Sequence, residues 1–109
     1  MNALKNKVQL IGNLGKDPEV KNFDNGKMVV RFSLATTETF YDNDGNKTDD
    51  TQWHNVVAWN NNAKRIQKLL TKGSSVIVDG KITYRDYDDK DGNKKYITEI
   101  LCQDFILMK

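Results

Sequence analysis

Both tryptophans and the only histidine of the chain fall within eight residues, Gln52-Trp53-His54-Asn55-Val56-Val57-Ala58-Trp59. Aromatic and β-branched side chains dominate this stretch, which is the composition of a β-strand. Successive side chains of a strand point to opposite faces. One face then carries Trp53, Asn55, Val57 and Trp59, and the other carries His54, Val56 and Ala58. Two flat rings on one strand face can do either of two things. They can fill a core, since tryptophan is highly buried on average. They can instead offer a spacing suited to successive unpaired bases, each of which presents a π-face. The strand by itself leaves both readings open.

A second pair of aromatics, Phe40 and Tyr41, opens a polar segment. Residues 38–51 also hold Asp42, Asp44, Asp49 and Asp50 against Lys47. The segment reads as a long, mobile hairpin loop with Asp44-Gly45-Asn46 near its tip. Its aromatics have little core available, so a flexible arm carrying a stacking ring is one explanation. The order Asp42-Asn43-Asp44-Gly45-Asn46 partly echoes a calcium loop. Its glycine stands three residues after Asp42 rather than five, and Trp53 occupies the twelfth, acidic position, so no metal is expected. A nuclease would need carboxylates and a base in one cleft. Here the acids gather on two hairpin tips and His54 faces away from Trp53. No catalytic residue and no cofactor is expected.

These residues need a scaffold, and the chain has room for one domain, residues 1–109. Net charge is +2 and the pI about 8.6, too mildly basic to imply nucleic acid alone. A lone cysteine, Cys102 in an apolar segment, excludes an internal disulfide and reads as a buried structural thiol in a reducing compartment. No apolar run is long enough to span a membrane, and the opening Met1-Asn2-Ala3-Leu4-Lys5 is not that of a signal peptide. A soluble cytoplasmic protein with no membrane partner is expected.

Lys5 to Asn13 reads as a first strand and Met28 to Thr37 as a second, with Val30, Phe32 and Leu34 on its core face. Asp17-Pro18 and Asp24-Asn25-Gly26 are turn signals. After the tryptophan strand, Asn60-Asn61-Asn62 can cap a helix through Lys72. Ala63, Ile66, Leu69 and Leu70 form its apolar side, Lys64, Arg65, Lys68 and Lys72 its polar side, and Gly73 its stop. Ser75 to Tyr87 is a long strand. Val76, Val78, Gly80, Ile82 and Tyr84 share one face; Asp79, Lys81, Thr83, Arg85 and Tyr87 share the other. A tip at Asp91-Gly92-Asn93 leads to a last strand, Tyr96 to Met108. Three strands, a helix and two strands, joined by antiparallel-type turns, make an all-β protein. The arrangement is that of the OB-fold, a five-stranded Greek-key barrel with its helix between strands 3 and 4, whose face and loops bind oligonucleotides or oligosaccharides.

Several runs, Asn6-Lys7-Val8, Gly12-Asn13-Leu14-Gly15 and Asp17-Pro18-Glu19, resemble the opening of the bacterial single-stranded DNA-binding proteins. Trp53-His54 with Val56-Val57 resembles their central strand, and Lys72-Gly73-Ser74, Val76, Val78, Gly80, Arg85 and Gly92 continue the likeness over about residues 5–103. The resemblance implies an OB-fold, sequence-tolerant binding of single-stranded DNA, and roles in DNA replication, recombination and repair in the bacterial cytoplasm, in association with the nucleoid. It also implies a homotetramer, with a dimer as the alternative. By the same resemblance Phe40, Trp53, Trp59 and Tyr87 match the stacking aromatics, and His54 matches a histidine of the subunit interface. Its strand parity, opposite to Trp53, fits that role.

Phosphate contacts are expected from Arg85 first, then Lys7, Arg31, Lys72 and Lys81, with Asn55 beside the tryptophans. Relatives often carry basic residues where this chain has Tyr41, Asn55 and Asn61, so fewer phosphate contacts and more stacking are expected. The family commonly continues into a flexible linker and an acidic tip. This sequence is read as a short form ending at Lys109, about where the barrel ends. The expectation therefore does not extend to tail-mediated protein partners. The competing function is an OB-fold protein-interaction module of primosome type, with DNA binding secondary. An exposed first-strand edge and the apolar last strand suit subunit contacts.

Overall fold

A computed structural model describes residues 4–108; Met1 to Ala3 of the opening stretch, and Lys109, lie outside them. The elements are β1 (Val8–Leu14), β2 (Glu19–Asn22), β3 (Met28–Tyr41), β4 (Lys47–Trp59), α1 (Asn60–Leu69), β5 (Ser75–Asp88) and β6 (Lys94–Leu107). The sheet order is β1-β5-β6-β4-β3-β2, and β1 also pairs with β3 through Asn13↔Ala35 and Leu14↔Leu34. That pairing closes the sheet into a five-stranded barrel with β2 outside the ring.

Alternation decides what the barrel holds. Val30, Phe32 and Leu34 of β3, Val56 and Ala58 of β4, Val76 and Val78 of β5, and Ile100, Cys102 and Phe105 of β6 are buried in one cluster. Burying each large aliphatic contributes roughly 1.5–3 kcal/mol. The helix α1 packs on β3, β4 and β6, and Ala63, Ile66 and Leu70 turn one stripe into the same cluster. Cys102 is 2% exposed, and its thiol donates to the Asp104 carbonyl at 3.3 Å. Burial, with the Asp104 charge adding to it, pushes the thiol up to about 11. It is a structural cysteine, as expected.

Four local expectations are corrected. Residues 38–51 are not a long loop. The β3–β4 ribbon runs unbroken out to Tyr41↔Lys47, leaving only Asp42 to Asn46 as its turn. Glu38↔Asp50 and Thr39↔Asp49 pair across it, and the Thr37 and Thr51 hydroxyls lie 3.0 Å apart. Polarity hid the strands because a two-stranded ribbon beyond the barrel has no core side. β2 went unread because a four-residue strand with one apolar residue, Val20, has no period. The Asn60-Asn61-Asn62 run does not cap α1 by a side chain: the N-cap is Trp59, without a side-chain cap bond. Asn60 instead sits in the left-handed region at φ 54°, which asparagine tolerates, and its Oδ1 accepts the Met28 N–H at 3.2 Å. Finally, β4 and β6 pair in parallel at Val56↔Ile100 and Val57↔Leu101, whereas every other pairing is antiparallel.

Both ribbon tips carry the same pentapeptide pattern, Asp-x-Asp-Gly-Asn. Asp42 Oδ1 accepts the Asp44 and Asn46 N–H groups, and Asp89 Oδ1 accepts those of Asp91 and Asn93. Gly45 and Gly92 each adopt a φ of 81° that a side chain would resist. The Asn46 N–H holds the Asp42 carboxyl below its usual range against the opposing effect of desolvation, and the Asp44 N–H and the Asn46 side chain add lesser support. These two carboxylates make turns.

Candidate nucleic-acid interface

The parity of β4 settles the tryptophan question. Val56 and Ala58 are buried at 1% and 0%, while Trp53 is 61% and Trp59 41% exposed on the outer face. The barrel is filled without either ring. Trp53 and Trp59 stand six residues apart, roughly 20 Å along an extended strand, so they do not offer adjacent stacking positions. They mark two ends of one outward path, with the exposed Asn55 and the buried Val57 between them.

Trp53 lies over Gly15. A Cβ at Gly15 would stand 2.5 Å from its Cζ3 and 2.8 Å from its Cη2, so only a glycine lets the ring rest there. The Gly15 N–H donates to the Ser33 carbonyl, fixing that loop against β3. Lys16, Asp17, Glu19, Arg31, Ser33 and Asn55 surround a shallow cavity of about 130 Å³ beside it. The Lys72 N–H donates to Asp17 Oδ1 at 2.7 Å, so the turn after α1 is tied to the same loop. The backbone of Lys72 and the unforeseen Lys16 thereby come to the loop beside Trp53.

Lys81, Leu101, Val57 and Arg31 form one row across β5, β6, β4 and β3. Next to it lies Glu99, only 4% exposed, on the outer face. Its Oε2 accepts Arg31 Nε at 3.2 Å, its Oε1 accepts Arg85 Nε at 3.2 Å, and Arg85 Nη2 adds a bond of 3.4 Å. The arginines are therefore gathered, but around a buried carboxylate, and the three side chains together carry one net positive charge. Sequence reading passed over Glu99, although a lone acid between Ile97 and Ile100 was a usable signal. Arg85 also lies 5.7 Å from the ring centre of Tyr87, which is 47% exposed farther out on the ribbon.

Phe40 and Lys7 stand apart. Phe40 is 51% exposed opposite Thr48 on the outer β3–β4 ribbon. Alternation puts it on the ribbon face opposite Trp53, and Tyr41 on the Trp53 side. Lys7 is ion-paired with Asp79 on the β1–β5 side of the barrel, with β5 and β6 between it and β4. His54 is half-buried on the face opposite Trp53, its Nε2 2.9 Å from Thr36 Oγ1. Phe23, beyond β2, was also missed. It stacks on Trp59 with ring centres 6.1 Å apart and planes 17° from parallel. The argument that singled out Phe40 and Tyr41, an aromatic in a polar turn, would have found it.

The model of the single-strand binding protein family matches residues 5–108. A single-stranded DNA-binding protein 1 of Chlorobaculum tepidum is 46% identical over 94% of this chain and 64% of its own length. One of Xylella fastidiosa is 43% identical over 97% of this chain and 79% of its own, and one of Bacteroides thetaiotaomicron 44% over 94% and 65%. The chain thus spans about two thirds of two of these relatives. Among solved structures, a Plasmodium falciparum SSB in complex with single-stranded DNA superposes with a TM-score of 0.82 and 36% identity, covering 100% of both chains. With the matched residues running from before β1 to beyond β6, the chain belongs to the single-strand binding protein family.

Proposed function

We propose that the protein binds single-stranded DNA with little regard to sequence, by stacking bases on exposed aromatics and meeting phosphates with lysines and with the arginines gathered at Glu99. The observation that carries this is the outward placement of Trp53 and Trp59 on a strand whose other face completes the core. Stacking accepts any base, because every base presents a π-face. Phe40, Trp53, Trp59 and Tyr87 take bases; Lys72, Lys81, Arg31 and Arg85 follow the backbone beside Asn55. The roles in replication, recombination and repair that are typical of the family support a task on transiently exposed single strands, and we propose the cytoplasm as its location.

Trp53→Ala and Trp59→Ala are each expected to weaken oligothymidylate binding by roughly 1–3 kcal/mol. Fluorescence titration of the folded variants, with duplex DNA as a poor competitor, measures this. Unchanged affinity in both variants, or efficient competition by duplex, removes the stacking interface.

Self-association, to a tetramer or a dimer, completes the proposal. Ile11, Ile77 and Ile106 form a cross-strand row over β1, β5 and β6, and Ile11 and Ile106 are 54% and 62% exposed. Among the described residues, Val8 to Gly12 pair only with β5, so the other edge of β1 is open for another strand. A groove lined by Gln9, Ile11, Thr36, Gln52 and His54 adjoins that edge. Sedimentation is expected to give the mass of four chains, or of two. Ile106→Lys, with both partners of a symmetric contact altered at once, lowers that mass; a monomeric parent refutes the assembly.

A further inference from the structure

The β2–β3 turn stands beside Trp59 without belonging to the interface described so far. Lys21, Val29 and Trp59 form one row across β2, β3 and β4. Phe23, two residues beyond Lys21 on the same side of the strand, stacks on the Trp59 ring. Lys21 Nζ lies 5.2 Å from the Phe23 ring centre. Two further contacts hold the turn in place. The Phe23 N–H donates to the Lys27 carbonyl at 2.8 Å, and Asn60, immediately after Trp59, accepts the Met28 N–H. The ring of Trp59 is therefore oriented by the turn at one end of its strand.

The cations differ in kind. Arg31 and Arg85 share Glu99, and Lys7 is held by Asp79. Among the described residues Lys21 pairs with no carboxylate and is exposed, with a single aromatic ring beneath its ammonium. An unpaired ammonium fixed next to a stacking ring suits a phosphate one step along from a stacked base.

We infer that the single-strand path runs past Trp59 onto the β2–β3 turn, where Phe23 is a positioning residue for the Trp59 ring and Lys21 takes a phosphate. This rests on the single-strand reading above and adds a direction and two residues to it. Phe23 acts through Trp59, so its effect belongs to affinity and not to ion release. Lys21 acts by charge, so its effect belongs to the salt dependence.

The test uses the whole chain, oligothymidylate and a salt series. Lys21→Gln is expected to flatten the slope of log affinity against log salt by about 0.7. Phe23→Leu is expected to weaken binding by about fivefold or more with the slope unchanged, and Phe23→Tyr, which keeps a ring, to restore it. In a Trp59→Ala background the Phe23→Leu loss disappears, because the two residues act as one unit; a purely structural role would persist there. An unchanged slope in Lys21→Gln overturns the phosphate contact even if Phe23→Leu folds poorly. A Phe23→Leu loss that survives in the Trp59→Ala background overturns the positioning role. Failure of the single-strand reading looks different: the unaltered protein then binds no oligothymidylate.

Discussion

Gly80→Ala is expected to lower the unfolding free energy by more than about 3 kcal/mol, beyond the usual cost of overpacking, because the obstacle is backbone. At Gly80 the β5–β6 register slips: Asp79 faces Asp104 while Gly80 faces Cys102, so Gln103 bulges out. The bulge brings the chains so close that a Cβ at Gly80 would stand 2.0 Å from the Leu101 carbonyl oxygen and 2.9 Å from its carbon. A flexible side chain could swing away; a carbonyl committed to the sheet cannot. The strands would have to part at the row where Leu101 also pairs with Val57, one of the two pairs by which β6 joins β4 among the described residues. Gly12→Ala meets the Ala35 carbonyl oxygen at 2.1 Å and strains the β1–β3 closure in the same way. Denaturant unfolding measures both, with Lys81→Ala as a surface control. A Gly80→Ala protein within about 1 kcal/mol of the parent shows that the bulge relaxes and that glycine is not required.

Removing Arg31 and Arg85 together is expected to cost about 3–5 kcal/mol of stability, the penalty of leaving a buried charge without its partner. Glu99 has a side chain 5% exposed, while those of Arg31 and Arg85 are 38% and 40% exposed. Either arginine alone can still satisfy the carboxylate, so each single variant is expected to lose far less than half of the double. The same geometry alters the salt dependence. Two free arginines on phosphates would steepen the slope by about 1.4, at 0.7 per contact. Sharing one carboxylate, they act as a single net charge, so the triple variant Arg31→Ala/Arg85→Ala/Glu99→Gln, which takes that charge from +1 to 0, is expected to flatten the slope by about 0.7 only. Its Glu99→Gln change also restores much of the stability that the double arginine variant loses. Equal losses in the singles and the double, or a slope change near 1.4 in the triple variant, would falsify the shared-charge arrangement.

The assignments made by strand parity were legible in the sequence. The rule put Val56 and Ala58 on one side and Trp53 and Trp59 on the other, leaving the structure to show which side is core; it likewise sorted Val76 and Val78 from Lys81 and Arg85. Period-two alternation is a local property, so any strand with one buried face displays it. The helix stripe of Ala63, Ile66 and Leu70 was legible for the corresponding reason at period 3.6. The outer half of the β3–β4 ribbon was not. Thr39, Phe40 and Thr48 lie beyond the core, where hydrogen bonding across two strands is satisfied without any hydrophobic pattern.

What the sequence alone determined is therefore the grouping into faces: which residues of each long strand share a side, with both tryptophans on one side of β4; that this side looks outward was decided by the tertiary structure. Only the tertiary structure decided which outward residues meet. Glu99 joins Arg31, 68 residues away, to Arg85, 14 residues away. Gly15 lies beneath Trp53, and Phe23 comes to rest on Trp59. The parallel β4–β6 pairing and the β1–β3 closure bring these partners together. Alternation along a strand carries no information about which strand lies beside it; that is set by closing the ring of hydrogen bonds around one shared core.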